Sequence, residues 1–416
     1  MLNKKLKVLV VLFIKALAAL MSFYVGVVVA NELSFDCSSK YFYSLNISMM
    51  IGSLSTLGLK NYILQINGVD NNQDVNVRNC LTVVLFLSLV ALLFLSPIII
   101  FYSNDKSDFL SILILAFAFL YQSLSVSYLY SMQKQVMGVI FETILPYGII
   151  VLGIKLSILS DFTTISLVLS ITIIALSLLS LLTGNSTFGA FSKLKIDLVK
   201  SFIRSKDFRS YAMLMFLGAI VSYFPTQVGS FLISTKEITF LLVAIKISSI
   251  LRVFYTALVS IYAPKISSLY RLGKIEEYKQ VVLSSTLILS IFGISGSLAI
   301  HIFSTEIIAL YGNDYNPVKE FLPWILIFQC LFISTGVVGH ALMMTEKAYR
   351  LRNSLVSSLI INFPLAIVFG YFFGAVGVAI GYGILLFGQH LFAAISLYKY
   401  TGINVLKFYK EANGLL

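Results

Sequence analysis

Charge is scarce in this 416-residue chain: Asp, Glu, Lys and Arg make up 12% of it, where soluble domains carry about 25%. An ordinary soluble domain is therefore excluded. Cysteine is equally sparse, three residues at Cys37, Cys80 and Cys330. Their scattered positions give neither a disulfide framework nor CxxC or zinc spacing. No GxxxxGK[ST] loop, HExxH or GxSxG occurs, which leaves no ATPase module and no visible hydrolase chemistry. No cofactor is expected. The first apolar run is too long for a signal peptide's hydrophobic region, and Val28-Val29-Ala30-Asn31 offers no small-x-small cleavage site.

What fills the chain is hydrophobic residue, 58% of it. About twelve stretches of twenty or more mostly apolar residues recur, each long enough to cross a bilayer core as a helix. They are Val8–Ala30, Phe42–Leu64, Leu81–Tyr102, Phe109–Met132, Gly138–Leu159 and Phe162–Thr183, then Tyr211–Ser234, Thr239–Tyr262, Val281–Phe303, Phe321–Met344, Ser354–Phe373 and Val376–Tyr398. Inside lipid only helices and closed barrels satisfy the backbone. Barrel strands of about 10 alternating residues do not fit runs this uniform. The sequence predicts an all-α integral membrane protein.

The net charge of +12 first suggests nucleic acid, but its distribution removes that reading. Threading twelve spans with the N-terminus inside leaves only Lys40, Lys106, Lys236 and Lys319 in outer loops, with most Lys and Arg in inner ones. That is the positive-inside pattern, and anionic lipid accounts for the basic excess. Both termini are then cytoplasmic. The longest polar segment separates an N-terminal six-helix lobe (residues 1–183) from a C-terminal one (211–398), with a cytoplasmic tail at 399–416. In that segment, 184–210, Phe191, Leu194, Leu198, Phe202 and Ile203 alternate with Lys193, Lys195, Lys200 and Arg204, as in a basic amphipathic helix on the inner leaflet. Two even-numbered lobes entering from one side suit a parallel repeat of an alternating-access transporter. That assignment rests on topology alone, since residue-level similarity between the halves is absent.

Ionisable side chains within spans mark function by default, because an unpaired charge in lipid costs several kcal/mol. Arg252 stands near the middle of Thr239–Tyr262, too deep for easy snorkelling. It is expected to face water and substrate, the bland alternative being bonds to neighbouring carbonyls. Lys246 lies on the same run, and Lys15 lies in the first span. Both divide between snorkelling and function. Six residues separate Lys246 from Arg252, so the two point about 120° apart. Lys60, Glu142 and Lys155 are expected near span ends. His390, beside Gln389, has the pKa range for proton exchange and is the coupling candidate, against a packing role. His301 and His340 read as structural. The span charge is thus mostly positive, which favours an anionic substrate that guanidinium can grip bidentately. Pro146, Pro225 and Pro364 interrupt their helices, and the glycines of Phe369–Gly383 permit close packing.

Four motifs carry a resemblance. Tyr262-Ala263-Pro264-Lys265-Ile266-Ser267-Ser268-Leu269-Tyr270, followed by Gly273-Lys274 and Glu276-Glu277, resembles the cytoplasmic loop after the eighth helix of polysaccharide exporters. Ile308-Ala309-Leu310-Tyr311-Gly312-Asn313-Asp314-Tyr315 is similar to their outer loop after the ninth. Phe373-Gly374-Ala375-Val376-Gly377-Val378-Ala379 resembles their turn between helices eleven and twelve, and Leu57-Gly58-Leu59 the end of their second helix. The family is the Wzx-type lipid-linked oligosaccharide flippases of the multidrug/oligosaccharidyl-lipid/polysaccharide exporter superfamily. The resemblance implies two six-helix lobes in a V around a cavity, in the bacterial inner membrane. It implies a substrate of undecaprenyl-diphosphate-linked oligosaccharide, an O-antigen, lipopolysaccharide or related repeat unit, moved between leaflets without covalent change. Membrane lipids surround it, and a polysaccharide polymerase and a chain-length regulator are candidate partners. Asn31–Tyr43 departs from the family by lacking the glycine usual before the second helix.

Three rivals stay open. A multidrug/cation antiporter of the same superfamily would generally carry an intramembrane acid. A membrane oligosaccharide polymerase would show a large charged outer loop. An assembly scaffold would transport nothing. Topology is checked by reporter fusions: those after Lys206 and Lys274 should report cytoplasm, and those at Lys106 and Asn313 the outside.

Overall fold

The computed structural model describes residues 2–58, 86–97, 99–100, 106–132, 134–183, 206–344 and 348–405. Most of the expected linker 184–210 and of the tail 399–416 lies outside the described residues, as do Lys60 and Cys80. Among the described residues there is no strand, and seven helices are each long and apolar enough to cross a membrane. The chain forms two compact units, Met1–Tyr223 and Phe224–Leu416.

The first unit contains α1 (Leu2–Glu32), α2 (Phe35–Ser55), α3 (Phe86–Pro97), α4 (Lys106–Ser131), α5 (Gln135–Lys155), α6 (Phe162–Thr183) and α7 (Lys206–Ser222). α1 packs along α5, while α4 packs against α2 and α6. α2 begins earlier than its apolar run implies. The Ser34 hydroxyl accepts the Cys37 N–H, so the cap rather than the first hydrophobic residue sets the start. Its end comes where Leu57 (φ 48°) and Gly58 (φ 73°) turn left-handed, which makes that motif a helix stop.

Small residues bring α2 and α4 together. A Cβ on Gly52 would stand 2.8 Å from the Ala116 carbonyl oxygen, and Ser48 donates to the Ile112 carbonyl at 3.2 Å. Close backbone approach of this kind replaces the hydrophobic driving force that lipid does not provide. Around the contact, Ile47, Ile51, Leu92, Ile112, Leu120 and Leu124 form a buried cluster. Ion pairs close one end of the unit, Lys40 with Asp108 at 3.4 Å and Lys155 with Glu32. At the other end the Lys134 ammonium donates to the Thr183 carbonyl at 2.6 Å and caps α6. Between α5 and α6, hydrogen bonds from Thr163 and Thr164 hold the Asp161 carboxyl below its usual range as it caps α6.

The second unit begins with two short helices, α8 (Phe224–Gln227) and α9 (Gly229–Leu232), then α10 (Thr235–Arg271), α11 (Ile275–Ile302), α12 (Ser304–Ala309), α13 (Val318–Ser334), α14 (Val338–Met344) and α15 (Ala348–Thr401). A reciprocal capping box starts α10: Ser234 N–H donates to Glu237 at 2.9 Å, and Glu237 N–H donates to the Ser234 hydroxyl. The segment expected as a cytoplasmic loop, 262–270, is instead helical, and α10 runs on to Arg271. It stops where Gly273 (φ 70°) permits Lys274 N–H to reach the Leu269 carbonyl, a Schellman end.

The outer motif folds inward, with Tyr311 and Tyr315 fully buried and the Tyr315 ring 6.0 Å from Phe240. α15 carries the last two runs as a hairpin bent at Gly374 (φ 58°, ψ −136°), backbone that only glycine readily adopts. Its open end is clipped by Arg350, whose guanidinium lies 3.6 Å from the Tyr400 ring centroid.

The tenth run is broken into α13 and α14 by Thr335–Val337, where Gly336 has φ 70°. A Cβ there would lie 2.2 Å from the Thr286 hydroxyl and 2.8 Å from the Thr286 Cα. Gly336→Ala should therefore lower stability by about 1–3 kcal/mol through left-handed strain, with the clash in addition. Gly218→Ala in α7, where a Cβ meets nothing within 4 Å, should be neutral or slightly stabilising. Thermal unfolding in detergent measures both.

Candidate functional site

Three helices of the second unit bring polar residues together. Arg252 on α10 donates through Nη2 to the Tyr382 hydroxyl at 2.8 Å and to Gln329 Oε1 at 3.3 Å. Gln329 comes from α13 and is fully buried, and Tyr382 comes from the second arm of α15. Both partners are neutral, so no carboxylate compensates the guanidinium through these bonds. Arg252 Nε and Gln329 Nε2 are buried donors with no acceptor. Unmet buried donors each cost about 1–3 kcal/mol. The arrangement is thus a donor-rich site that an acceptor-rich ligand would complete.

One helical turn along the same three helices lies a second layer. Tyr255 follows Arg252, Phe332 follows Gln329, and His390 follows Tyr382 by two turns. The Phe332 and His390 rings meet edge-on at 4.2 Å, and the Tyr255 ring stands 6.3 Å from His390. Thr335 Oγ1 is 3.0 Å from His390 Nδ1. Gln389, His390 and His340 line one cavity of about 180 Å³. His340, expected to be purely structural, therefore shares a space with the coupling candidate. Lys246 is half-buried nearly two turns before Arg252 on the same helix.

In the first unit Lys15 is half-buried on α1, and Glu142 of α5 lies within Coulombic range of it. α5 starts at Gln135, which sets Glu142 about a turn deeper, inside a π-helical stretch, Ile140–Ile144. The bulge has a local cause. Pro146 has no N–H to give the Glu142 carbonyl, and Gln122 of α4 donates to that carbonyl instead, at 2.9 Å. The Glu142 side chain is exposed and accepts from the Tyr130 hydroxyl at 2.7 Å. Glu142 thus acts on Lys15 electrostatically, whereas the hydrogen-bond partners of Arg252 are neutral. Lys155 is paired with Glu32 at the helix end, where it was expected.

The structure places Arg252 and His390 in adjacent layers of one unit and Lys15 in the other unit. Sequence reasoning missed Gln329, Tyr382, Thr335, Gln122 and Tyr130. An uncharged polar residue in an apolar run carries little signal alone, although Gln122 and Gln329 are amides deep within runs. Among the described residues no group of three or more His, Cys, Asp or Glu could hold a metal ion.

No protein-family model matches the chain, and no curated protein matches it. Solved structures do. An inward-facing multidrug resistance MATE family transporter of the MOP superfamily aligns with TM-score 0.65 at 12% identity, over 97% of this chain and 99% of its own. A lipid II flippase, MurJ, in an inward closed conformation gives TM-score 0.65 at 13% identity, over 95% of this chain and 89% of its own. A MOP superfamily transporter from Pyrococcus furiosus, described as having a binding pocket of reverse polarity, gives 0.62 at 9% identity, over 96% of each chain. The chain has the all-helical fold of these MOP-superfamily structures.

The bulge gives a direct test. Gln122→Leu leaves the Glu142 carbonyl without its donor in an apolar interior and should destabilise by about 1–3 kcal/mol. Tyr130→Phe, acting on the exposed Glu142 side chain, should cost less. Thermal unfolding of the purified variants compares them.

Proposed function

We propose that the chain is a Wzx-type flippase, moving undecaprenyl-diphosphate-linked oligosaccharide repeat units from the cytoplasmic to the outer leaflet of the bacterial inner membrane. The observation that carries this reading is the Arg252 group. A guanidinium held only by neutral partners, its own Nε and the neighbouring Gln329 Nε2 without acceptors, suits a diphosphate, whose oxygens accept several charge-assisted hydrogen bonds. Lys246 on the same helix and Lys15 on α1 are the further cations assigned to the anionic headgroup. The four motifs of the polysaccharide exporters support the same reading. So does a fold shared with a lipid II flippase. The sugars would meet neutral polar and aromatic side chains, and the lipid tail would stay in the bilayer. The product supplies an assembly of O-antigen or a related surface polysaccharide, with both termini cytoplasmic.

A second reading has its own observation. Glu142, exposed on a π-bulge and bonded by Tyr130, is the kind of acid a multidrug or cation exporter of this fold would use. The MATE family transporter among the similar structures gives that alternative equal standing at the level of fold. Lys15, within Coulombic range of Glu142, weighs against it, because an ammonium there opposes a second cation.

Arg252 separates the two. Arg252→Ala should reduce surface polysaccharide at least tenfold, equivalent to about 1.4 kcal/mol or more, while the protein inserts at normal levels. Arg252→Lys should restore only part, because a point charge cannot reproduce the planar fork. Lys155→Ala should be nearly silent. Surface polysaccharide normalised to inserted protein is the measurement. Intact polysaccharide with new sensitivity to cationic dyes in a strain lacking the gene would transfer the assignment to the second reading.

A further inference from the structure

The cavity one turn from Arg252 has chemistry of its own. Tyr255, His340, Gln389 and His390 line it, with apolar surface from Leu351 and Leu355 of the first arm of α15. Thr335 Oγ1 lies 2.7 Å from the Phe332 carbonyl and 3.0 Å from His390 Nδ1. A carbonyl only accepts, so the hydroxyl hydrogen goes there and the Thr335 oxygen accepts from Nδ1–H. His390 therefore keeps Nε2 as an acceptor. Among the described residues, that contact is the one hydrogen bond the four polar side chains of the lining make. The His340 ring, the Gln389 amide and the Tyr255 hydroxyl keep their donors and acceptors unspent. No Asp, Glu, Lys or Arg stands in the lining, so the cavity offers mixed hydrogen bonds without a charge.

We infer that this cavity is a subsite for one uncharged sugar residue, the residue joined to a diphosphate at Arg252. A sugar hydroxyl both donates and accepts, and a neutral imidazole and a primary amide match it in both senses. The C–H faces of a sugar ring suit the aromatic wall of Tyr255 and His390, whose ring centroids stand 6.3 Å apart. Aromatic walls with a few convergent polar groups are what small-molecule sites are built from. The volume of about 180 Å³ is the share of roughly six waters at about 30 Å³ each, room for one sugar ring and not for a whole repeat unit. Tyr255 follows Arg252 by three residues, a rise of about 4.5 Å along α10. A sugar esterified to a phosphate at the guanidinium thus falls in the next layer, where the cavity lies. An acidic sugar would bring its carboxylate to a lining with no cation, so the subsite selects against uronic acids. The link to a diphosphate rests on the flippase reading, whereas the preference for a neutral sugar stands on the lining alone.

The experiment measures equilibrium binding to purified full-length protein in detergent by isothermal titration. The probes are farnesyl diphosphate and farnesyl diphosphate carrying one N-acetylglucosamine, galactose or glucuronic acid. A neutral sugar should tighten binding about tenfold over farnesyl diphosphate, the equivalent of one or two net hydrogen bonds, and glucuronic acid should not. Gln389→Leu and His340→Leu should each remove most of that gain, with farnesyl diphosphate titrated alongside to report that the variant is folded. Arg252→Ala should weaken all four probes alike. No gain from either neutral sugar, an equal gain from glucuronic acid, or a gain that survives either substitution would overturn the subsite. Methyl glycosides of the same sugars separate the two readings. If farnesyl diphosphate ignores Arg252→Ala while a neutral methyl glycoside binds the wild type and not Gln389→Leu, the subsite stands and the flippase reading falls.

Discussion

Every backbone N–H and C=O in a helix that crosses lipid needs a partner from the protein itself, and this constraint governs where the chain can bend. Three breaks are supplied with their own donor or acceptor. Pro146 orphans a carbonyl in α5, and Gln122 comes across from α4 to meet it. At Thr335 the hydroxyl turns back to the Phe332 carbonyl just as the helix gives way. Gly273 ends α10 by returning the next N–H to Leu269. The side chains that repair breaks are also those that cluster at the candidate sites. Irregular backbone and polar chemistry arrive together because one requires the other.

The same constraint orders the charges. Glu142 stands on a π-helical stretch within Coulombic range of Lys15. Arg252 is tolerated because Tyr382 and Gln329 hold one nitrogen of the guanidinium, leaving Nε unmet. The first arrangement is close to neutral and the second is not. That asymmetry between the units is the physical basis of the proposal that Arg252 contacts an anion.

Much of the fold was legible because the period and length of apolar runs survive any local irregularity. Ser354–Phe373 and Val376–Tyr398 anticipated the two arms of α15, and the glycine-rich turn between them lies at Gly374. Helix ends were less legible, since capping residues outrank hydrophobicity there. Ser34 starts α2 before its apolar residues, and α10 continues past Pro264 because its stop signal is Gly273. At the candidate sites, Arg252 and His390 were visible as ionisable groups in apolar surroundings. Their partners Gln329, Tyr382 and Thr335 were not, because only tertiary packing distinguishes a bonded neutral residue from a tolerated one.

The hairpin α15 has a consequence for the last two spans. Its arms are joined by the bend at Gly374, clipped at the open end by Arg350 against Tyr400, and meshed where a Cβ on Gly381 would strike Ala366. All of these contacts lie within the hairpin itself, between its two arms. The last two spans thus behave as one structural piece, since each arm takes part of its packing from the other.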